Sequence, residues 1–161
     1  MMTNRHVLTF PLFPMSDRPK MDPTETPRAA GNRLQGEEGR KIRVIVIDDE
    51  ALIAETVAEI LKQEGFDAVA VSNGLSAIEL AEKWSPDVVL SDVIMPGLNG
   101  IETGIGIREV APECKVILFS GQAATVDLLE VAREHGERFD ILAKPVRPEQ
   151  LIAVIRSSFR S

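Results

Sequence analysis

Five side chains close runs of apolar residues and could act on one group: Asp48, Asp49, Asp92, Ser120 and Lys144. Carboxylates brought together repel, and each raises the others' pKa unless a cation intervenes. A hard divalent cation with a preference for oxygen resolves that conflict, and Mg²⁺ fits it. Lys144 adds a compact positive charge and Ser120 a hydroxyl donor. A cation, a lysine and a hydroxyl around one carboxylate form a cradle for a phosphoryl group. Asp92 falls in the middle of the strand order and is the natural nucleophile, giving an aspartyl phosphate. Each residue alone also fits a local role. Asp48 or Asp49 could cap a helix. Asp92 could make an Asx-turn toward Met95-Pro96, and Ser120-Gly121 an ordinary turn. Lys144-Pro145 could be a surface turn with a cis bond.

The elements that must position these residues alternate along the chain. Ile42–Ile47 is a β-branched run that suits a strand buried on both faces. Ile53, Val57 and Ile60 recur at i, i+4, i+7 and predict an amphipathic helix ending at Gly65. Ala68–Val71 predicts a second strand. Ser72 or Asn73 caps a helix carrying Leu75, Ile78 and Ala81. Val88–Leu90 predicts the third strand, before a loop with Pro96, Gly97 and Gly100. A helix over Ile101–Val110 is weakened by Gly104 and Gly106. Val116–Phe119 predicts the fourth strand. Leu128, Val131 and Ala132 mark a helix ending near Gly136, and Phe139–Leu142 predicts the fifth strand. Pro148 opens a last helix with Leu151, Val154, Ile155 and Phe159 on one stripe. Five β-then-α units make a doubly wound α/β fold around a parallel sheet. Ligands of such sheets lie beyond the carboxyl ends of the strands, where all five residues fall.

Composition narrows the function. The 161 residues carry 18 basic and 25 acidic side chains, a net charge of −7. That balance argues against nucleic-acid binding through phosphate neutralisation and against an anionic membrane surface. No stretch reaches the ~18 apolar residues of a membrane span. The single Cys114 excludes an intramolecular disulfide, and His6 and His135 lie too far apart in sequence to suggest a zinc site. Cys114 is expected to be inert, and His135 to cap a helix. The GxxxxGK[ST] and GxGxxG nucleotide motifs are missing. Residues 1–40 hold five of the ten prolines and carry 6 basic and 5 acidic residues, whereas 41–161 carry 12 and 20. Residues 1–40 therefore read as a disordered N-terminal extension with a candidate docking motif around Phe10 and Phe13.

VIVIDDE with Asp48 and Asp49, LSDVIMPGLNG around Asp92, FSG around Ser120, and AKP at Lys144-Pro145 together resemble the bacterial response-regulator receiver domain, of the single-domain chemotaxis-regulator type. The resemblance covers about Lys41 to Arg160 and places the receiver domain at 41–161. Asp92 lies 44 residues after Asp48, and Lys144 lies 52 after Asp92, which fits the family's spacing. It implies a flavodoxin-like fold with strand order 2-1-3-4-5. It implies that Asp92 accepts a phosphoryl group from a phosphohistidine on a sensor histidine kinase or histidine phosphotransfer protein. Asp49 then ligates Mg²⁺ directly, Asp48 helps directly or through water, and Asp92 and the Ile94 backbone carbonyl complete the protein ligands. Ser120 turns in to the phosphoryl group, and Lys144 pairs with it or, before phosphorylation, with Asp92. The chain departs from the pattern at Ile141, where an aromatic switch residue three before the lysine is usual. Phe139 lies two residues further back. Ile94 and Gln122 take positions that influence water at the phosphoryl group.

These readings predict a cytoplasmic, single-domain response regulator. Only 17 residues follow Lys144, so its expected output is protein contact or onward phosphoryl transfer, through the face of the last two helices and fifth strand. Its chemistry is limited to its own phosphorylation and dephosphorylation, so it is not expected to be an enzyme in the usual sense. The alternative is a phosphorylation-independent interaction module with a vestigial site. A phosphatase of similar topology is disfavoured, because it would normally carry its second Asp two residues after the first, where this chain has Glu50.

Overall fold

The computed structural model describes residues 39–121, 125–134 and 136–159. The expected extension therefore lies outside the described residues except for Gly39 and Arg40, as do Gln122 and His135. The elements are β1 (Arg43–Ile47), α1 (Ala51–Gln63), β2 (Asp67–Val71), α2 (Gly74–Trp84) and β3 (Val88–Asp92). They continue as α3 (Gly100–Val110), β4 (Lys115–Ser120), α4 (Thr125–Glu134), β5 (Asp140–Ala143) and α5 (Pro148–Ser158). The five strands form one sheet in the order β2-β1-β3-β4-β5, and every pair is parallel. This is the doubly wound, flavodoxin-like architecture expected from the sequence.

Alternation along the strands divides the core into two layers. Ile45, Ile47, Val89, Val116 and Leu118 face the α2, α3 and α4 side. Val44, Val46, Val88, Leu90 and Ile117 face α1 and α5. Both faces are covered, which is why β1, β3 and β4 read as continuous apolar runs.

The helices face the sheet differently from the expected stripes. α1 buries Ala54, Ala58 and Leu61, one position along from the predicted Ile53, Val57 and Ile60, and Ile53 stays exposed. α2 buries Gly74, Ala77 and Ala81, while Leu75 is exposed. In α4, Ala132 is buried and Val131 exposed. Small residues let a helix axis approach its neighbour, so close packing of backbones outweighed the larger side chains in choosing the buried face.

α3 forms as expected, one residue earlier at its start. Gly104 and Gly106 still cost helix propensity, but both sit where a side chain would meet a neighbour. A Cβ on Gly104 would press on the Phe139 ring, and one on Gly106 on the end of Ile78. The helix begins in a capping box that the sequence reading did not find: Asn99 accepts from the Glu102 amide at 2.8 Å, and the Glu102 carboxylate accepts from the Asn99 amide at 3.1 Å. Asn73 caps α2 as one of the two expected candidates, accepting from Ser76. β5 runs one residue later than predicted, which leaves Phe139 before the strand, packed against α3 beneath the Arg108 guanidinium.

Candidate functional site

Each of the five chemical residues sits at the carboxyl edge of the sheet. Asp48 and Asp49 follow β1, Asp92 ends β3, Ser120 ends β4 and Lys144 follows β5. The parallel register puts these ends side by side, with Asp92 opposite Phe119 and Ser120 opposite Ala143. Parallel neighbours lie about 4.8 Å apart, so residues at the ends of adjacent strands stand side by side and their side chains can meet.

The carboxylates of Asp48, Asp49 and Asp92 each bring an oxygen to within 4.8 Å of the others. Asp48 is buried, Asp92 half-buried and Asp49 exposed. Lys144 Nζ donates to Asp92 Oδ2 at 2.9 Å, so Asp92 and Lys144 form the cross-strand pair that the separate turn readings of these residues would have missed. The Lys144-Pro145 bond is cis. Neither Asp48 nor Asp49 is the N-cap of α1. That position belongs to Glu50, which makes no side-chain cap. Asp48 Oδ1 instead accepts from the Glu50 amide at 2.9 Å, which holds its carboxylate in place at the pocket floor.

The electrostatics are unbalanced. Burial pushes the Asp48 carboxyl above its usual range, and the neighbouring Asp92 and Asp49 charges push the same way. The Glu50 amide and Lys144 oppose the shift without cancelling it. Three carboxylates thus face one ammonium. An all-oxygen donor set with excess negative charge fits a hard divalent cation of the Mg²⁺ type. Asp48 and Asp49 offer carboxylates to such an ion, and the loop through Ile94 offers backbone carbonyls. Ile94 itself is exposed.

The expected switch geometry is changed. Ile141 pairs with Leu118 in the β4–β5 register and is 40% exposed, so the position usual for an aromatic holds a smaller, partly solvated side chain. Phe139 precedes β5 and packs against Gly104 of α3, at the amino end of the strand and away from the carboxyl edge where the pocket lies, so it does not stand in for that aromatic. Cys114 is buried, and burial pushes its thiol up to about 12, in keeping with an inert side chain.

Two residues at this edge carried no weight in the sequence reading. Ser91, buried one residue before Asp92, donates from Oγ to the Asp92 carbonyl at 2.9 Å. Gly100, taken as a loop glycine, is the first residue of α3 and packs against the same carbonyl. A serine inside an otherwise aliphatic strand was the available signal.

Residues 44–156 match the profile of the response regulator receiver domain. The DNA-binding response regulator MtrA of Mycobacterium tuberculosis is 32% identical over 118 residues, covering 73% of this chain and 50% of that protein. The transcription factor SKN7 of Saccharomyces cerevisiae is 32% identical over 130 residues, 81% of this chain and 20% of that protein. The chain spans about half the length of MtrA. Among solved structures, a response regulator receiver domain protein from Clostridium thermocellum superposes with a TM-score of 0.64 at 28% identity, covering 73% of this chain and 93% of that one. A CheY-like receiver domain protein from Methanospirillum hungatei gives 0.67 at 22% identity, over 74% and 94% of the two chains, a likeness of fold. The expectation that nucleic acid plays no part finds no support here, since relatives such as MtrA are DNA-binding regulators. Among the described residues no helix is long and apolar enough to cross a membrane. The match across most of the chain, on a fold of the same strand order, establishes that the chain belongs to the response-regulator receiver domain family.

Proposed function

We propose that Asp92 accepts a phosphoryl group from a phosphohistidine on a sensor histidine kinase or histidine phosphotransfer protein. The observation that carries this is the Asp92 carboxylate at the strand end, 2.9 Å from Lys144 and within reach of two further carboxylates. A carboxylate oxygen of Asp92 attacks phosphorus, the P–N bond to the imidazole breaks, and the imidazole leaves and takes up a proton. Asp48, Asp49, Asp92 and the Ile94 carbonyl would hold Mg²⁺, which would supply positive charge to offset that of the phosphoryl oxygens. Lys144 trades its contact with Asp92 for one with the transferred group. Ser120, at the end of β4, hydrogen-bonds another phosphoryl oxygen, at the cost of only a rotamer change.

In this reading the chain is a regulator rather than an enzyme, and it works in the cytoplasm. Its output is protein contact or onward transfer across α4, β5 and α5, where Val126, Val131 and Ile141 are exposed. Phosphorylation biases a pre-existing equilibrium on that face. The competing reading, an interaction module with a vestigial site, draws on Ile141. Incubation with acetyl phosphate and Mg²⁺, followed by intact mass, separates the two. The expected result is a gain of one phosphoryl group, lost in Asp92→Asn. No gain in the unaltered chain overturns phosphoryl acceptance. Ser120→Ala should retain uptake but weaken phosphorylation-dependent partner binding by about 1–2 kcal/mol, the scale of one charge-assisted hydrogen bond.

A further inference from the structure

We propose that Ser91 and Gly100 are positioning residues for Asp92, both acting on its main-chain carbonyl. The inference rests on the phosphoacceptor reading above and adds what holds the acceptor in place. Ser91 is 1% exposed, and its hydroxyl donates to the Asp92 carbonyl at 2.9 Å. Gly100 is packed so closely that a Cβ there would run into the same carbonyl oxygen. The same Cβ would lie 2.8 Å from Val93 Cα and 3.0 Å from the Asp92 carbonyl carbon.

All three obstacles are backbone atoms, which have no rotamer to escape into. Neither side can retreat. α3 is fixed by its Asn99–Glu102 capping box and by the Gly100 amide donating to the Val93 carbonyl at 2.7 Å. β3 is fixed by the Val93 amide donating to Phe119 at 3.1 Å. A side chain at 100 must therefore shift the 92–94 segment, which bears both the Asp92 carboxylate and the Ile94 carbonyl. Gly104, in the same helix, provides the contrast: a Cβ there meets the edge of the Phe139 ring and a Val116 methyl, both of them side chains.

The test compares Gly100→Ala, Ser91→Ala and Gly104→Ala in the full chain, with Mg²⁺ affinity by calorimetry and crystal structures as readouts. Alanine favours the helix at each glycine position, so propensity alone predicts no loss. Gly100→Ala should weaken Mg²⁺ binding about tenfold or more, as loss of support behind metal ligands does. Ser91→Ala should weaken it about threefold, the worth of one hydrogen bond. In both, the Asp92–Lys144 contact should lengthen. Gly104→Ala should shift the melting temperature and leave Mg²⁺ affinity at the wild-type value. Wild-type affinity and an unmoved Asp92 in Gly100→Ala and Ser91→Ala would overturn the proposal. If Gly100→Ala does not fold, Ser91→Ala decides alone. If the unaltered chain binds no Mg²⁺, the reading of the site fails instead, and the Asp92–Lys144 distance in the variants still judges the positioning.

Discussion

Strand β3 runs between two aspartates with opposite surroundings. Asp87, just before its amino end, is 7% exposed and fully engaged. Arg40 grips it with both guanidinium nitrogens at 2.9 and 3.0 Å, and the Arg43 amide donates to it at 2.8 Å. Arg43 in turn bonds the Trp84 carbonyl and lies over the Trp84 ring. Asp92, at the carboxyl end, has one lysine and two carboxylate neighbours. One charge is neutralised and locked. The other is left short of positive charge in an open pocket. The same residue type is a staple where its partners balance it and a site where they do not, because a cluster with surplus charge has free energy to gain from a ligand.

The sharpest way to break this contrast is to remove a carboxylate at each end. Asp49→Ala should abolish phosphoryl uptake and leave the fold intact or slightly more stable, since it removes an exposed like charge. Uptake at the wild-type rate, followed by intact mass, would remove Asp49 from the metal site. Asp87→Ala should do the reverse. It leaves Arg40 without its counter-ion and the Arg43 amide without its acceptor, and should lower stability by about 3 kcal/mol in urea unfolding, while the folded fraction still takes up phosphate. Unchanged stability would mean that Asp87 is not a staple.

The two ends also differed in how readable they were. The carboxyl end was legible because strand period and chemical residue type point to the same places: Asp48, Asp92, Ser120 and Lys144 each follow an apolar run. The Asp87 cluster was not, because it depends on Arg40 reaching across 47 residues of sequence, and no local pattern encodes that. Helix facing failed for a related reason. Ile53 outranks Ala54 in hydrophobicity, yet the close approach of α1 to the sheet favours the smaller residue. The Gly100 contact with Asp92 needs three-dimensional proximity of α3 to β3, whereas the order β2-β1-β3-β4-β5 followed from the family resemblance.

Asp48 sharpens the contrast through pH. Its carboxyl titrates above the usual range in the folded chain because of burial. Between its unfolded and folded pKa values the folded state binds more protons, so stability falls as pH rises through that window. The penalty is fully present above the folded pKa and absent below the unfolded one. Asp48→Asn keeps an oxygen for the Glu50 amide and removes the charge. It should therefore be more stable than the unaltered chain at pH 7, with the gain shrinking as the pH is lowered through the window. Mg²⁺ at ten times its Kd should stabilise the unaltered chain by about 1.4 kcal/mol and Asp48→Asn by less. A constant difference between the two across pH, by thermal melting, would show that Asp48 carries no such penalty.

The smallest expected effect concerns β5, whose two ends repeat the pattern on a lesser scale. Phe139, before the strand, is held against Gly104 and under Arg108, which itself pairs with Glu137 at 2.7 Å. Ile141, further along, is 40% exposed and does not fill the space an aromatic would occupy. A buried isoleucine cut to alanine costs about 2–5 kcal/mol, and partial exposure reduces that because the site is already solvated. Ile141→Ala should thus cost about 1 kcal/mol or less, against about 2–3 kcal/mol for Phe139→Ala. The Phe139 ring packs against Gly104 and Val116 and under Arg108, whereas Ile141 stands partly in solvent opposite Leu118. Because Ile141 is β-branched, its side chain has few rotamers with which to follow a change at Ser120. Ile141→Ala should accordingly leave the ratio of partner affinities, with and without a beryllofluoride mimic, close to the wild-type value, whereas Ser120→Ala reduces it. A collapse of that ratio in Ile141→Ala, measured by calorimetry with Ser120→Ala unaffected, would place the switch at Ile141 after all.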